Sequence, residues 1–440
     1  MTEMEINLTL RFRVPEKGLT VNGILQGIEE QTPTILRAIL KQVFKALEER
    51  AIMRWRREKP GRYILNGHQP NARKLITHFG AFRYQMTQVI DSQVGKTFVP
   101  LAQELDLTPY RQYQAEAMEA SVGLAIHLSY AQASEEVIRI RGSGPSKSTT
   151  YRRLREISQA HGAWPVMKNI PYRFLMVDGT KVHLQGPRGI DLGKKEMRWA
   201  LASLGPGRKF EPVGFWIGKE WSDIRKDLEE RLNYKKLEVL FSDGGPGIAE
   251  NLLANGMRQQ RCLWHGKRDF PFILYQDKIK KAGQEPFRAL FDRIPVFSLT
   301  QERLEEIDPD DIQTIRDLAE NTRKGFEQLL EALDQNKYPK ARTYLKNLYR
   351  HTMTFLGYWM KTHHWIPLNI NAIESAFSRI TNRIKKVGKR WSDQGLLEWL
   401  MLAFRKIYKP ELWDELWNRY FEINRKLELV LYHAEYSWLQ

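Results

Sequence analysis

The sequence predicts an α/β chain of several domains. A mixed-sheet core is preceded by a small α+β module and by a unit of helices, and it is interrupted by a long helical stretch. Three observations carry this expectation. Between residues 172 and 264, short apolar runs alternate with helical patterns, as in an α/β layer. Residues 109–161 repeat their apolar positions at helical spacing. Residues 266–362 are helical in pattern, with no strand signal. At 440 residues, the chain has room for about two to four domains.

The first module spans 1–105. Residues 5–14 alternate polar and apolar and read as a strand. Thr32-Pro33 reads as a helix start, with Thr as cap and Pro at the first helical position; Ile35, Leu36, Ile39, Leu40, Val43 and Leu47 follow at helical spacing. Short strands are expected at 62–66 and 73–90, with a turn at Gly80. The second domain, 106–165, reads as three helices. The middle one starts at Ser129 with Gln132 three residues on, a capping-box spacing. Gly142-Ser143-Gly144-Pro145 breaks it, and a basic helix follows with Lys147, Arg152, Arg153 and Arg155. Helix, tight turn and basic helix form a helix-turn-helix pattern suited to DNA, the alternative being a helical hairpin with a solvated charged face.

The core opens at 166. Strands are expected at 172–178, 182–184, 199–204, 210–217, 237–242 and 261–264, with helices at about 221–231 and 246–255. The helical insertion is placed at 266–362. The core's second part, 363–440, holds a helix from Asn371 to about Val387, another at 393–408, and an aromatic-rich helical tail at 410–438.

Composition narrows the partner. Lys and Arg number 69 against 52 Asp and Glu, a net charge of +17. An excess of that size favours nucleic acid or an anionic surface. The single cysteine, Cys262, excludes an internal disulfide and a multi-cysteine zinc site, and it fits a reducing cytosol. The first residues lack the basic start and apolar core of a signal peptide. No stretch of about 18 apolar residues is present, so no membrane span is expected.

The chemistry lies in three acids. Asp178 and Asp243 each follow an apolar run and precede glycine, in Val177-Asp178-Gly179-Thr180 and Ser242-Asp243-Gly244-Gly245. Both are expected at C-terminal strand ends, where open α/β sheets place their sites; a plain Asp-Gly turn is the alternative. Glu374 opens a helix in Asn371-Ala372-Ile373-Glu374-Ser375, where it either aims at the two aspartates or closes a capping box with Asn371. Three convergent carboxylates suit Mg²⁺ or Mn²⁺. Two such ions about 4 Å apart activate a water or a 3′-hydroxyl and stabilise the leaving oxygen of a phosphodiester. Downstream, residues 372–409 set Arg379, Arg383, Lys385, Lys386, Lys389, Arg390, Arg405, Lys406 and Lys409 against only Glu374, Asp393 and Glu398. Arg379, Arg383 and Lys386 share one helical face, placed to hold phosphates over the metals.

In order, the two Asp-Gly elements, Cys262-Leu263-Trp264-His265 and the Glu374 segment resemble the signature of Mutator-type transposases of bacterial and archaeal insertion sequences. The run from Phe377-Ser378-Arg379-Ile380 to Lys389-Arg390-Trp391-Ser392 matches that style, and the resemblance covers about 110–408. It implies an RNase H-like core with Asp178, Asp243 and Glu374 as catalytic ligands of two Mg²⁺ ions. It also implies a Cys-x-x-His element and an all-helical insertion before the Glu. The implied activity is strand cleavage at transposon ends and 3′-hydroxyl strand transfer, with terminal inverted repeats and target DNA as partners. A homodimer or higher assembly in the cytoplasm, at the nucleoid, is expected. Related families often carry a cysteine-bearing segment near residues 1–100; this chain does not.

On residue chemistry alone, Cys262 reads as a small buried hydrophobe and His265 as a helix-capping residue or one behind the acids; the resemblance implies that His265 shapes the site or contacts DNA near the cut. Adjacent His363 and His364 point to different faces and make a poor metal pair. Trp359 and Trp365 read as core aromatics, with stacking on an extruded base as the alternative. Two other functions fit the same features: a non-catalytic, domesticated DNA-binding protein, and a structure-selective nuclease.

Overall fold

The computed structural model describes residues 4–77, 79–107, 112–161, 164–308, 311–386, 390–421 and 427–430. The chain divides into two compact units, one of Met1–His161 with Lys409–Gln440 and one of Gly162–Tyr408.

In the first unit the strand expected at 5–14 is absent. Leu8, Leu10 and Phe12 are exposed and the segment has no regular structure. Alternation alone cannot make a strand where no neighbour supplies a hydrogen-bond ladder. Helix α1 (Val21–Glu58) starts earlier than expected, capped by Thr20, whose hydroxyl accepts from the Gly23 amide at 3.1 Å. Pro33 lies inside α1 and forfeits one helical bond without ending it. The strands β1 (Tyr63–His68), β2 (Arg73–Thr77), β3 (Gly80–Tyr84), β4 (Thr87–Asp91) and β5 (Lys96–Phe98) form a β1-β4-β5 sheet and a β2-β3 hairpin, all antiparallel.

A short α2 (Pro100–Glu104) leads to α3 (Ala115–Ala125), α4 (Tyr130–Arg141) and α5 (Lys147–His161). The expected start of the first of these three helices, 109–111, lies outside the described residues. The capping box at Ser129 is present: the Gln132 amide donates to Ser129 Oγ at 3.2 Å, and the Ser129 amide donates to Gln132 Oε1 at 3.1 Å. Gly142 ends α4 at φ 69°, a conformation cheap only for glycine. Ser134 Oγ then donates to Pro145 O at 2.7 Å, which ties the turn to α4.

The second unit holds β6 (Phe174–Gln185), β7 (Asp191–Ser203), β8 (Glu211–Ile217), α6 (Trp221–Arg231), β9 (Val239–Ser242), α7 (Ile248–Leu252) and β10 (Arg258–Arg261). The sheet order is β10-β9-β6-β7-β8; β10-β9 and β9-β6 are parallel, and the other pairs are antiparallel. The break expected between 178 and 182 does not occur. β7 pairs along all of β6, Asp178 opposite Trp199 and Gly179 opposite Arg198, so this Asp-Gly is strand and not turn. The strand expected at 261–264 is also displaced: β10 ends at Arg261 and Leu263 already begins a helix.

The helical stretch comprises α8 (Leu263–Gln276), α9 (Lys281–Asp292), α10 (Gln301–Glu305), α11 (Ile312–Ala332), α12 (Pro339–Thr352) and α13 (Thr354–Thr362), with no strand among its described residues. The unit closes with α14 (Asn371–Thr381), a π-helical turn at Asn382–Lys386, and α15 (Asp393–Tyr408). The last helix, α16 (Pro410–Phe421), belongs to the first unit and not to a continuous 363–440 domain. Its Trp413 Nε1 donates to Glu119 Oε1 of α3 at 3.3 Å. The tail expected to be helical to 438 is helical through Phe421 among the described residues, and 427–430 are not helical.

Strand alternation sorts the five-stranded sheet into two faces. Leu175, Val177, Ala200, Ala202 and Val213 pack with Trp221, Ile224 and Leu228 of α6. On the other face Trp199, fully buried, meets Phe377 of α14 at 4.5 Å and Phe404 of α15 at 4.8 Å between ring centroids. Burying each such side chain contributes on the order of 1.5–3 kcal/mol. That contact seats α14, and with it Glu374, over the face that carries Asp178. Among the described residues no helix is long and apolar enough to cross a membrane.

Candidate active site

The parallel register of β6 and β9 decides where the aspartates lie. Phe174 pairs with Val239 and Met176 with Phe241, and the same offset carries Asp178 to Asp243. Both therefore lie on the α14 face. Asp243 follows the end of β9 as expected, whereas Asp178 sits mid-strand in β6, just beyond the point where the β9 ladder stops. β6 outruns its short parallel neighbour, so Asp178 lies beside the end of β9 without needing a turn.

Local bonds fix both aspartates. Asp178 Oδ1 accepts from the Gly179 amide at 2.8 Å, and Asp243 Oδ1 accepts from the Gly245 amide at 2.8 Å. Gly244 adopts φ 82°. Behind it, Arg261 Nε donates to the Asp243 carbonyl at 3.1 Å, and the Arg261 guanidinium stacks over Tyr344 at 4.7 Å.

Glu374 stands in the first turn of α14. The alternative capping box with Asn371 is not formed: Ile370 is the cap and no side chain bonds there. Glu374 instead approaches His265, with 3.6 Å between Oε1 and Nε2. His265, buried in the first turns of α8, has Nδ1 3.2 Å from Cys262 Sγ. Burial pushes the Cys262 thiol up, so it keeps its proton. Burial and the nearby Arg268 hold His265 below its usual value despite Asp243 and Glu374, so it is neutral at pH 7. Because Nε2 faces the Glu374 carboxylate, we assign the histidine proton to Nε2, which leaves Nδ1 facing the Cys262 thiol. The pair thus stands behind Glu374, and two such groups alone do not make a structural zinc site.

The three acids interact. Burial, then Asp243 and Glu374, push the Asp178 carboxyl up to about 7, while the Gly179 amide and Arg268 pull the other way. The folded state therefore holds this proton between about pH 4 and 7, where the unfolded chain has released it, so stability falls as pH rises through that window. Asp178→Asn is expected to raise stability above pH 7 by roughly 2–4 kcal/mol, at about 1.4 kcal/mol per pKa unit, and to make little difference below pH 4. Thermal melts of both proteins from pH 4 to 8 check this; a wild-type excess at pH 8 would contradict it.

As a donor set, three carboxylates fit a hard divalent cation. Among the described residues, however, no three His, Cys, Asp or Glu side chains are drawn into a ligating group. The acids are neighbours that feel one another, and their chemistry, not a closed cage, is what fits Mg²⁺ or Mn²⁺.

The basic candidates divide. Arg383 is 3% exposed and stacks on Trp391 at 4.4 Å and Trp399 at 5.9 Å, so it is a core cation and not a DNA contact. The π-helical turn rotates it inward and breaks the expected shared face. Arg383→Ala is expected to cost about 2–4 kcal/mol in thermal or urea unfolding, through lost packing and cation–π contact. Lys385 Nζ donates to Thr180 Oγ1 at 2.6 Å, which anchors the turn to β6 two residues past Asp178. Arg379, Lys386 and Arg390 are exposed; Lys389 lies outside the described residues. On α5, Lys147 and Arg152 are exposed, Arg153 pairs with Glu156, and Arg155 lies over Tyr151 at 5.7 Å.

Arg261 and Arg268 carry no signal in the sequence: Arg268 sits one helical turn past His265 in a helix whose pattern suggests a start only at 266, and Arg261 falls in an expected strand. Trp359 is buried and stacks on Trp365 at 5.1 Å, as core aromatics do. Neither protein-family models nor curated protein sequences yield a match to this chain.

Proposed function

We propose that the chain is a metal-dependent DNA transposase resembling the Mutator-type enzymes of insertion sequences. On this reading it cuts at transposon ends and joins the freed 3′-hydroxyl to target DNA. One observation carries it: strand register sets Asp178 beside Asp243, and α14 brings Glu374 to the same sheet face, close enough that all three bear on one carboxyl's proton. The mixed five-stranded sheet, with a long antiparallel pair beside two short parallel strands, supports an RNase H-like core.

Asp178, Asp243 and Glu374 would hold two Mg²⁺ or Mn²⁺ ions, which supply an activated oxygen nucleophile and stabilise the leaving oxygen. His265 orients Glu374, and Lys385 ties the segment after Glu374 to β6. The exposed Arg379, Lys386 and Arg390 hold phosphates near the acids. The α4-turn-α5 unit, with Lys147 and Arg152 outward, reads the terminal inverted repeats. Two ends must be brought together, so a homodimer or larger assembly does the work.

The rival is a DNA-binding protein that does not cut, favoured by the absence of a ready ligating group among the described residues. The purified chain, Mg²⁺ and DNA carrying the element's ends separate the two. Nicking at the ends followed by joined products supports the transposase. Tight, salt-sensitive binding without any cut in Mg²⁺ or Mn²⁺ supports the rival.

A further inference from the structure

A second charged feature lies away from the acids. At the N-terminal end of β6, a cavity of about 730 Å³ is lined by Arg173, Arg208, Lys235, Lys236, Glu238 and His364, among others. Arg173 immediately precedes β6, five residues before Asp178, which puts the cavity roughly 16 Å from that acid along the strand.

Its charges are unequal in availability. Arg173 donates to both oxygens of Glu238, at 2.8 and 2.9 Å, and to the Tyr358 hydroxyl at 2.7 Å. The one acid lining the cavity is thereby spent on Arg173. Arg208, Lys235 and Lys236 are exposed, and no carboxylate pairs with them among the described residues. The first projects from the turn after β7, where Gly205 and Gly207 take φ 140° and 67°; the two lysines sit on the 3₁₀ turn Tyr234–Lys236 before β9. Three free cations thus converge from two separate loops on one concave surface.

We propose that this cavity is a second DNA-binding surface, which grips the sugar–phosphate backbone of a duplex through Arg208, Lys235 and Lys236. The groups it offers are exposed point charges and a guanidinium. These suit phosphates spaced along a backbone and carry no base-reading pattern. Binding there is independent of sequence and of divalent metal. The choice of duplex DNA as the polyanion rests on the reading of the protein as DNA-acting; the existence of the anion surface does not.

The test uses the full chain and a random-sequence duplex of about 30 base pairs in EDTA. Affinity is followed by fluorescence anisotropy across a salt series. The triple variant Arg208→Gln, Lys235→Gln, Lys236→Gln is expected to bind about tenfold more weakly or worse, with the slope of log K against log salt reduced by about 2–3. Because the assay contains no divalent metal, its result stands apart from any failure of cleavage. A control variant, Lys278→Gln, Lys280→Gln, Lys281→Gln, removes the same charge from exposed positions elsewhere in this unit. Wild-type slope and affinity in the first variant would overturn the proposal, and so would an equal loss in the control. Loss of pyrophosphate binding with duplex binding intact would also overturn it, making the cavity a small-anion pocket.

Discussion

Asp178→Asn, Asp243→Asn and Glu374→Gln are each expected to lower DNA cleavage and joining by about a thousand-fold or more. Each amide keeps the shape of the side chain and loses its negative charge. A carboxylate that holds a divalent ion supports several kcal/mol of transition-state stabilisation, and each 1.4 kcal/mol is about tenfold in rate. DNA binding in EDTA should stay at the wild-type level, because none of the three faces DNA as a cation. The stability readout gives independent leverage. At pH 8, Asp178→Asn removes a half-buried charge that Asp243 and Glu374 oppose, so the inactive protein should melt higher than the wild type. Added Mn²⁺ should raise the wild-type melting temperature and leave this variant nearly unmoved. His265→Ala should lower activity by about tenfold, because it orients Glu374 without touching the reacting atoms. Full cleavage by any of the three acid variants would remove that residue from the chemistry.

The fold was legible where local rules decide it. The Ser129 capping box, the Gly142 stop and the helix limits near 221–231 and 393–408 match the described elements, because each depends on residues within one turn. What was not legible depends on partners. Asp178-Gly179 has the composition of a turn, yet β7 continues the ladder past it, and a sequence does not announce which strand will lie alongside. The 5–14 alternation promised a strand, but no neighbour pairs with it. The two aspartates could be picked out by their positions after apolar runs, and Glu374 by its place at a helix start. The way they are held could not. His265 to Glu374, Arg261 to the Asp243 carbonyl, and Lys385 to Thr180 join residues far apart in the chain. Arg383 shows the same limit from the other side. Its spacing with Arg379 assumed an unbroken α-helix, and the π-helical turn sends it into the Trp391–Trp399 core.

Gly244→Ala is expected to destabilise the second unit by about 2–4 kcal/mol and to depress activity by roughly a hundred-fold. Two costs coincide at this glycine. Its φ of 82° is strained for any residue with a side chain, by about 1–2 kcal/mol. A Cβ there would also fall 2.2 Å from Arg261 Nε and 2.6 Å from its Cζ. A flexible arginine usually yields to such a clash. This one is 7% exposed, stacks on Tyr344, and bonds the Asp243 carbonyl, so moving it releases the backbone that presents the acid. Gly256→Ala separates the terms: its φ is 84° with open space around the missing Cβ, so it should lose about 1–2 kcal/mol and keep its activity. Pairing Gly244→Ala with Arg261→Ala should recover part of the stability, because the clash is gone, and none of the activity, because the clamp on Asp243 is gone too. Urea unfolding and cleavage of end-containing DNA measure the two quantities separately. If the double variant regained activity, Arg261 would be a packing residue only, and Asp243 would owe its position to the turn alone.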